Sequence, residues 1–375
     1  MNKPTITLTG LLAISIIIFI VIRIPLISRT GHSHRISRGG PDTRNWPDRI
    51  LYQELKRTTE PDLGLQILRS LLKKWPSNKP KAFIYLLMNG TPEGIRRLFS
   101  GLKSVDKNYN DEFKYPIVIF HEPGVTHSQK ILIQNASKSL IVFQMVEFKI
   151  PEFLEKEVPK RACSKNVGYR HMCRFHAKIV TKHPLMELFD YYMRLDDDSQ
   201  FNGNIKYDLF KEMSDNSYIY GYLGITNDSP ECVIGLWDAV RKHISRTSLS
   251  LTWPEPMMYY NNFEVASTKL WLKKEYQDYI EYIDKLGGIY YYRWGDAPIK
   301  SLAVSLFVPQ ENIHQFTDVW YTHDTLSYPT VLTLMYTHSI TIIALFVIIA
   351  SIMTYLLRKH KYLKYGQSLL RGSVK

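Results

Sequence analysis

A chain of 375 residues, 45% of them apolar, has ample material for one large core or two smaller ones. Its formal charge of +13 suggests nucleic acid until the charge is located: residues 358–375 carry six Lys/Arg and no acid, residues 29–80 carry 11 against five, and Lys3 and Arg23 add two. That leaves residues 81–357 at −1, which excludes a basic nucleic-acid face and places the excess in flanking, membrane-adjacent segments. Cys163, Cys173 and Cys232 are too few and too scattered for a zinc site or a disulfide framework. One bridge and one free thiol fit an oxidising lumen, with the pair left open.

In chain order, residues 1–7 read as a cytosolic N-terminus and residues 8–27 as an uncleaved signal anchor, long enough to span if Arg23 snorkels. Residues 28–80 are polar and basic, closed by Pro76-Ser77-Asn78-Lys79-Pro80, and read as a partly helical stem. From Lys81 strands and helices alternate. Ala82–Leu87 is a buried-strand run, and Thr91-Pro92-Glu93 starts a helix to about Lys103. Pro116–Phe120 is a strand, Val125–Ala136 a helix and Ser139–Met145 a third strand. Tyr169–Lys182 has helical spacing and stops before Pro184. This order predicts an α/β domain over residues 81–328 with a mostly parallel central sheet.

The next run, Tyr191-Tyr192-Met193-Arg194-Leu195, ends in Asp196-Asp197-Asp198. A strand that ends in acids puts them at its carboxyl edge, where open α/β sheets bind ligands. Adjacent carboxylates call for a compensating cation, and oxygen ligands favour Mg²⁺ or Mn²⁺ bridging to substrate phosphates. Thr268–Leu286 reads as one amphipathic helix ended by Gly287-Gly288, and Asp296 as the cap of a helix through Ser301–Leu306. Residues 331–357, with no charge from Ile340 to Leu357, read as a transmembrane helix, and residues 358–375 as a basic cytosolic tail. Asn135 and Asn227 open glycosylation sequons that suit a lumenal domain.

Four clusters accompany the acids. Arg170 and Arg174 lie one helical turn apart, able to meet a phosphate together. Asn261-Asn262-Phe263-Glu264 sets a carboxylate beside amides, Arg293-Trp294-Gly295-Asp296 offers a cation–acid pair, and His323 sits in polar surroundings near the domain's end. Together with D-x-D in an α/β domain they point to a nucleotide-sugar transferase.

At these residues the sequence resembles the fungal α-1,2-mannosyltransferases of glycosyltransferase family 15, yeast Golgi enzymes that extend mannans. The similarity rests on Tyr-Arg-His-Met-Cys-Arg-Phe at 169–175, the acid-tipped strand at 191–198, Asn-Phe-Glu at 262–264, the Gly-Gly to Asp-Ala-Pro run at 287–298 and Tyr-x-His at 321–323. The resemblance implies a GT-A-like fold, GDP-mannose as donor, Mn²⁺, a mannose-bearing glycan or glycoprotein acceptor, and retention of configuration in the Golgi or ER lumen. It implies Asp196, Asp198 and His323 as metal ligands, and Glu264 as nucleophile or charge stabiliser. Tyr169 would lie close to the donor and Asp296 at the catalytic centre, with Arg170, Arg174, Asp198 and Arg293 binding the nucleotide. Two rivals keep the fold: a transferase for another nucleotide sugar, and a non-catalytic glycan-binding membrane protein. Asp196 stands where the family usually has Glu, one methylene longer, and Met257-Met258-Tyr259-Tyr260-Asn261 replaces the usual acceptor-loop sequence.

Overall fold

The structure, a computed structural model, describes residues 63–324, 326–329 and 352. Its strands are β1 (Ala82–Met88), β2 (Ile117–His121), β3 (Ile141–Met145), β4 (Tyr191–Leu195), β5 (Gln200–Phe201), β6 (Tyr220–Tyr222), β7 (Ile225–Asn227), β8 (Met257–Tyr259), β9 (Phe263–Ser267), β10 (Ile313–Gln315), β11 (Tyr321–His323) and β12 (Leu326–Tyr328). Seven of them form the central sheet in the order β10-β6-β9-β4-β1-β2-β3. β1 pairs in parallel with β2 and β4, β2 with β3, and β10 with β6, while β9 runs antiparallel between β4 and β6. The expected mostly parallel α/β sheet is what forms.

Side chains alternate across each strand, so a sheet covered on both faces needs two apolar cores. Phe83, Tyr85, Val118 and Tyr192 belong to one, and Ile84, Leu86, Ile117 and Met193 to the other. The helix Gly64–Leu72, expected within the stem, buries Ile67, Leu68 and Leu71 in the first core. The folded domain therefore begins upstream of Lys81. The expected membrane spans, residues 8–27 and, apart from residue 352, 331–357, lie outside the described residues, among which no helix is long and apolar enough to cross a membrane.

Capping chemistry sets the helix starts. Thr91 accepts from the Gly94 amide at 3.1 Å ahead of Pro92, and the helix runs Pro92–Val105. Thr126 and Gln129 form a capping box that starts His127–Ala136 two residues later than expected. The helix expected from Tyr169 begins at Val167, capped by Asn166, and passes after Arg174 into a π-turn, Phe175–Ile179. The long helix expected from Thr268 is broken: Lys273 is extended (ψ 140°), separating Thr268–Leu272 from Lys274–Lys285. The Gln277 side chain donates to the Trp271 carbonyl at 2.7 Å, which satisfies a group freed by the break. Asp296 is not a cap. Gly295 holds that position and Asp296 opens the helix Asp296–Phe307, its carboxylate engaged elsewhere.

Two segments close the molecule around the sheet's rim. A three-stranded antiparallel sheet, β12-β11-β5, hangs from the end of β4. The disulfide Cys163–Cys232 joins the segment before Val167 to the one before Leu236 across 69 residues, leaving Cys173 free and buried.

Candidate active site

β1, β2 and β4 are parallel, so their carboxyl ends share one rim; β9 is antiparallel, so its beginning, Asn261-Asn262, lies at the same rim. Beyond Leu195 the chain turns, with the Asp196 amide donating to Ser199 Oγ at 3.0 Å. The turn separates the three acids. Asp197 pairs with Arg97 of the Pro92 helix at 3.1 Å. Asp196 and Asp198 face His323, whose Nε2 stands 3.3 Å from one carboxylate and 3.0 Å from the other. Pairing of β11 with β5 brings His323 there, Tyr321 opposite Phe201, and the Tyr321 hydroxyl meets Ser199 Oγ at 2.6 Å. The three expected metal ligands thus converge from both ends of the domain.

Their electrostatics suit a cation. Burial opposes ionisation of Asp196, but Arg194 and His323 outweigh it and hold its pKa below the usual carboxylate value. Burial likewise disfavours a charged His323, yet hydrogen bonds to Asp196 and Asp198 carry its pKa up to about 10. In this arrangement an imidazolium supplies the positive charge between the carboxylates. Two carboxylates are hard oxygen donors that suit Mn²⁺, and one imidazole, a borderline nitrogen donor, completes a mixed O/N set. The other imidazole nitrogen, Nδ1, meets the Tyr260 hydroxyl at 3.0 Å, a partner that orients a ligating histidine. The described residues whose donor atoms all lie within 4.8 Å of one another are instead Cys163, Glu231 and Cys232, with both sulfurs consumed by the disulfide; Asp196 and Asp198 lie further apart and meet through His323.

Behind this rim lies a buried charge network. Arg194, on β4, reaches Asp196 Oδ1 at 3.1 Å on one side and Asp296 on the other. Asn261 donates to the same Asp296 oxygen at 2.9 Å. Burial works against the charge on Asp296, and Arg194 and His176 overcome it, so its pKa is lowered. Glu264 lies opposite Arg194 in the strand register and is wholly buried. One of its oxygens accepts from both Lys300 and Tyr192, and Lys300 also donates to the Tyr192 hydroxyl at 3.0 Å and lies 4.3 Å above the Trp271 ring. Asn262 is 5% exposed and neither of its amide atoms has a hydrogen-bond partner among the described residues.

Tyr169 and Arg293 come together: the guanidinium lies 5.8 Å over the phenol ring and pairs with Asp228 at 2.5 Å. Neighbouring Cys173 and burial both push the Tyr169 phenol up. Arg293 has φ 75°, a backbone conformation that costs a non-glycine residue energy.

The two arginines of the expected phosphate clamp are used otherwise. Arg170 is fully buried and donates to the carbonyls of Pro159, Lys160, Asn166 and Tyr290. Arg174 makes a two-pronged pair with Asp284 at 2.8 and 2.9 Å. Helical spacing put them on one face, but an arginine's reach let each find a separate interior acceptor. Sequence reasoning missed Arg97, Arg194, Tyr260 and Lys300. Lys300 carried the clearest signal, as a lone cation inside the apolar helical run Pro298–Leu306.

Known proteins are similar to this chain in sequence and fold. The glycolipid 2-alpha-mannosyltransferase of Saccharomyces cerevisiae is 30% identical over 274 residues, 66% of this chain and 61% of that protein. The alpha-1,2 mannosyltransferase KTR1 of the same yeast is 30% identical over 292 residues, 69% of this chain and 72% of its own. The chain thus spans about three fifths of the first relative, 61% of its length. Core-mannan synthase A from Aspergillus fumigatus, solved in a Mn/GDP form, superposes with a TM-score of 0.63 at 26% identity, covering 68% of this chain and 77% of that one. The family profile described as glycolipid 2-alpha-mannosyltransferase matches residues 52–341, and the chain belongs to that family.

Proposed function

We propose that this chain is a retaining α-1,2-mannosyltransferase that moves mannose from GDP-mannose to a mannose-bearing glycan or glycoprotein, with Mn²⁺ bound by Asp196, Asp198 and His323. The observation that carries the proposal is the meeting of His323 Nε2 with both carboxylates at 3.0 and 3.3 Å, from segments more than 120 residues apart. The Mn/GDP form of the Aspergillus protein supports the same pairing of metal and nucleotide here.

Mn²⁺ bound at this rim would neutralise the diphosphate leaving group. The chain's own residues do the rest. Arg194 holds Asp196 in place from behind, Tyr260 fixes the imidazole ring, and Arg97 keeps Asp197 out of the coordination sphere. Glu264, already bonded to Lys300 and Tyr192, contributes a fixed negative field beneath the reacting centre instead of a covalent bond, countering positive charge at the anomeric carbon. Asp296 takes part through Arg194, as a positioning group, and Tyr169 with Arg293 forms the donor-side wall. The unpartnered Asn262 amide supports a hydroxyl-rich substrate, whose hydroxyls would supply its donor and acceptor.

In this reading the fold is GT-A-like, residues 8–27 and 331–357 are membrane spans, and the catalytic domain faces the Golgi or ER lumen. The Cys163–Cys232 disulfide supports an oxidising compartment, and the exposed Asn135 and Asn227 suit glycosylation there. The test is transfer of radiolabelled mannose to methyl α-mannoside. Asp198→Ala and His323→Ala should abolish metal-dependent transfer, and Glu264→Gln should lose turnover while still binding GDP. A native protein that releases no GDP from GDP-mannose, with Mn²⁺ and acceptor present, refutes the proposal.

A further inference from the structure

Outside the rim, a cavity of about 420 Å³ opens beside the small sheet, lined by Asn202, Asn204, Lys206, Tyr207, Asp318 and Trp320. This is within the range of small-molecule sites, roughly 300–1,000 Å³. Trp320 is 52% exposed, although tryptophan is highly buried on average. The walls are held before any ligand arrives. The Asn202 amide donates to the Trp320 carbonyl at 2.8 Å, the Ile205 amide to the Asn108 carbonyl at 2.9 Å, and the Tyr207 hydroxyl to Asp318 at 2.8 Å. Lys206 and Asp318 offset each other's charge, so nothing in the lining selects an ion.

Alternation along β11 decides how this cavity relates to the catalytic rim. Tyr321 and His323 face inward, whereas Trp320 and Thr322 face the other side, where the Asn202 side chain donates to Thr322. Trp320 and His323 are about 10 Å apart along the strand but on opposite faces. A sugar at the metal centre cannot touch Trp320. A longer glycan that bends round the edge strand β5 can reach both.

We propose that this cavity is a secondary saccharide site, which holds a neutral sugar unit of the acceptor remote from the unit that reacts. The C–H face of a pyranose stacks on an indole, and its hydroxyls exchange hydrogen bonds with carboxamides and a carboxylate, the groups that line this wall. The inference rests on the acceptor reading above, and its test separates the two. Native protein and Trp320→Ala are compared on methyl α-mannoside and on a linear α-linked oligomannoside, with GDP affinity and thermal midpoint as fold controls. The variant should match the native protein on the monosaccharide, while KM for the oligosaccharide rises roughly tenfold and Trp320→Phe restores most of it. Equal loss on both acceptors, or no loss on either, overturns the site. Calorimetric titration of the oligomannoside alone gives a readout independent of turnover: binding by the native protein and not by Trp320→Ala supports the site even if transfer fails, and absence of binding to the native protein overturns it.

Discussion

Replacing Lys300 by Met leaves the Glu264 carboxylate wholly buried without its cation. Both side chains are 0% exposed, so water cannot rescue either partner. Burial lowers the Lys300 pKa, with Arg194 adding to it, while Glu264 pulls the other way, which marks the pair as mutually dependent. Removing one member of such a pair costs about 3–5 kcal/mol, against a total stability of about 5–15 kcal/mol. The double variant Lys300→Met/Glu264→Leu has no stranded charge, although the Tyr192 hydroxyl loses its acceptor, so most of the loss should return as a coupling of about 2–3 kcal/mol. Urea unfolding followed by tryptophan fluorescence measures all four corners of the cycle. Mannose transfer by the double variant should stay absent while its stability recovers. Additivity within about 0.5 kcal/mol would refute the buried pair. Transfer that returns with stability would refute the electrostatic role of Glu264.

Burial takes the Lys79 ammonium down to about 8, with Asp208 opposing. The unfolded chain then holds that proton to higher pH, so stability should rise by up to about 2 kcal/mol from about pH 8 to about pH 9.5, and Lys79→Met should flatten the rise in denaturation midpoints. Arg174→Gln should lower stability by about 1–3 kcal/mol through Asp284 and leave GDP affinity unchanged by calorimetry; weakened GDP binding would return Arg174 to the nucleotide site. Replacing Cys163 and Cys232 by Ala should cost about 2–4 kcal/mol and make the melting midpoint indifferent to reductant.

The sheet was readable because its strands are short apolar runs punctuated by capping residues. Thr91-Pro92 and Asp196-Asp197-Asp198 carry their meaning within a few neighbours. His323 was readable through the company of other motifs, since nothing local distinguishes it. The missed features are long-range choices. Arg170 and Arg174 diverge because their acceptors, Tyr290 and Asp284, come from the other end of the domain. The Gly64–Leu72 helix joined the core because β3 offered a surface for it, Gly64 lying close against Val142 and Phe143. The break at Lys273 depends on a backbone conformation that its apolar periodicity does not encode.

The seam between β5 and β11 has a consequence for biosynthesis. The Ser199–Tyr321 bond spans 122 positions, and every strand of the main sheet emerges from the ribosome before β11 does. The acids at 196–198 are therefore synthesised well over a hundred residues before His323, the partner they meet, whereas the last sheet strand, β10, precedes it by only a few residues. On the proposed function, cleavage between Phe316 and Tyr321 would leave Asp196 and Asp198 in one piece and His323 in the other, so a weakened Mn²⁺ response would be an early sign of clipping.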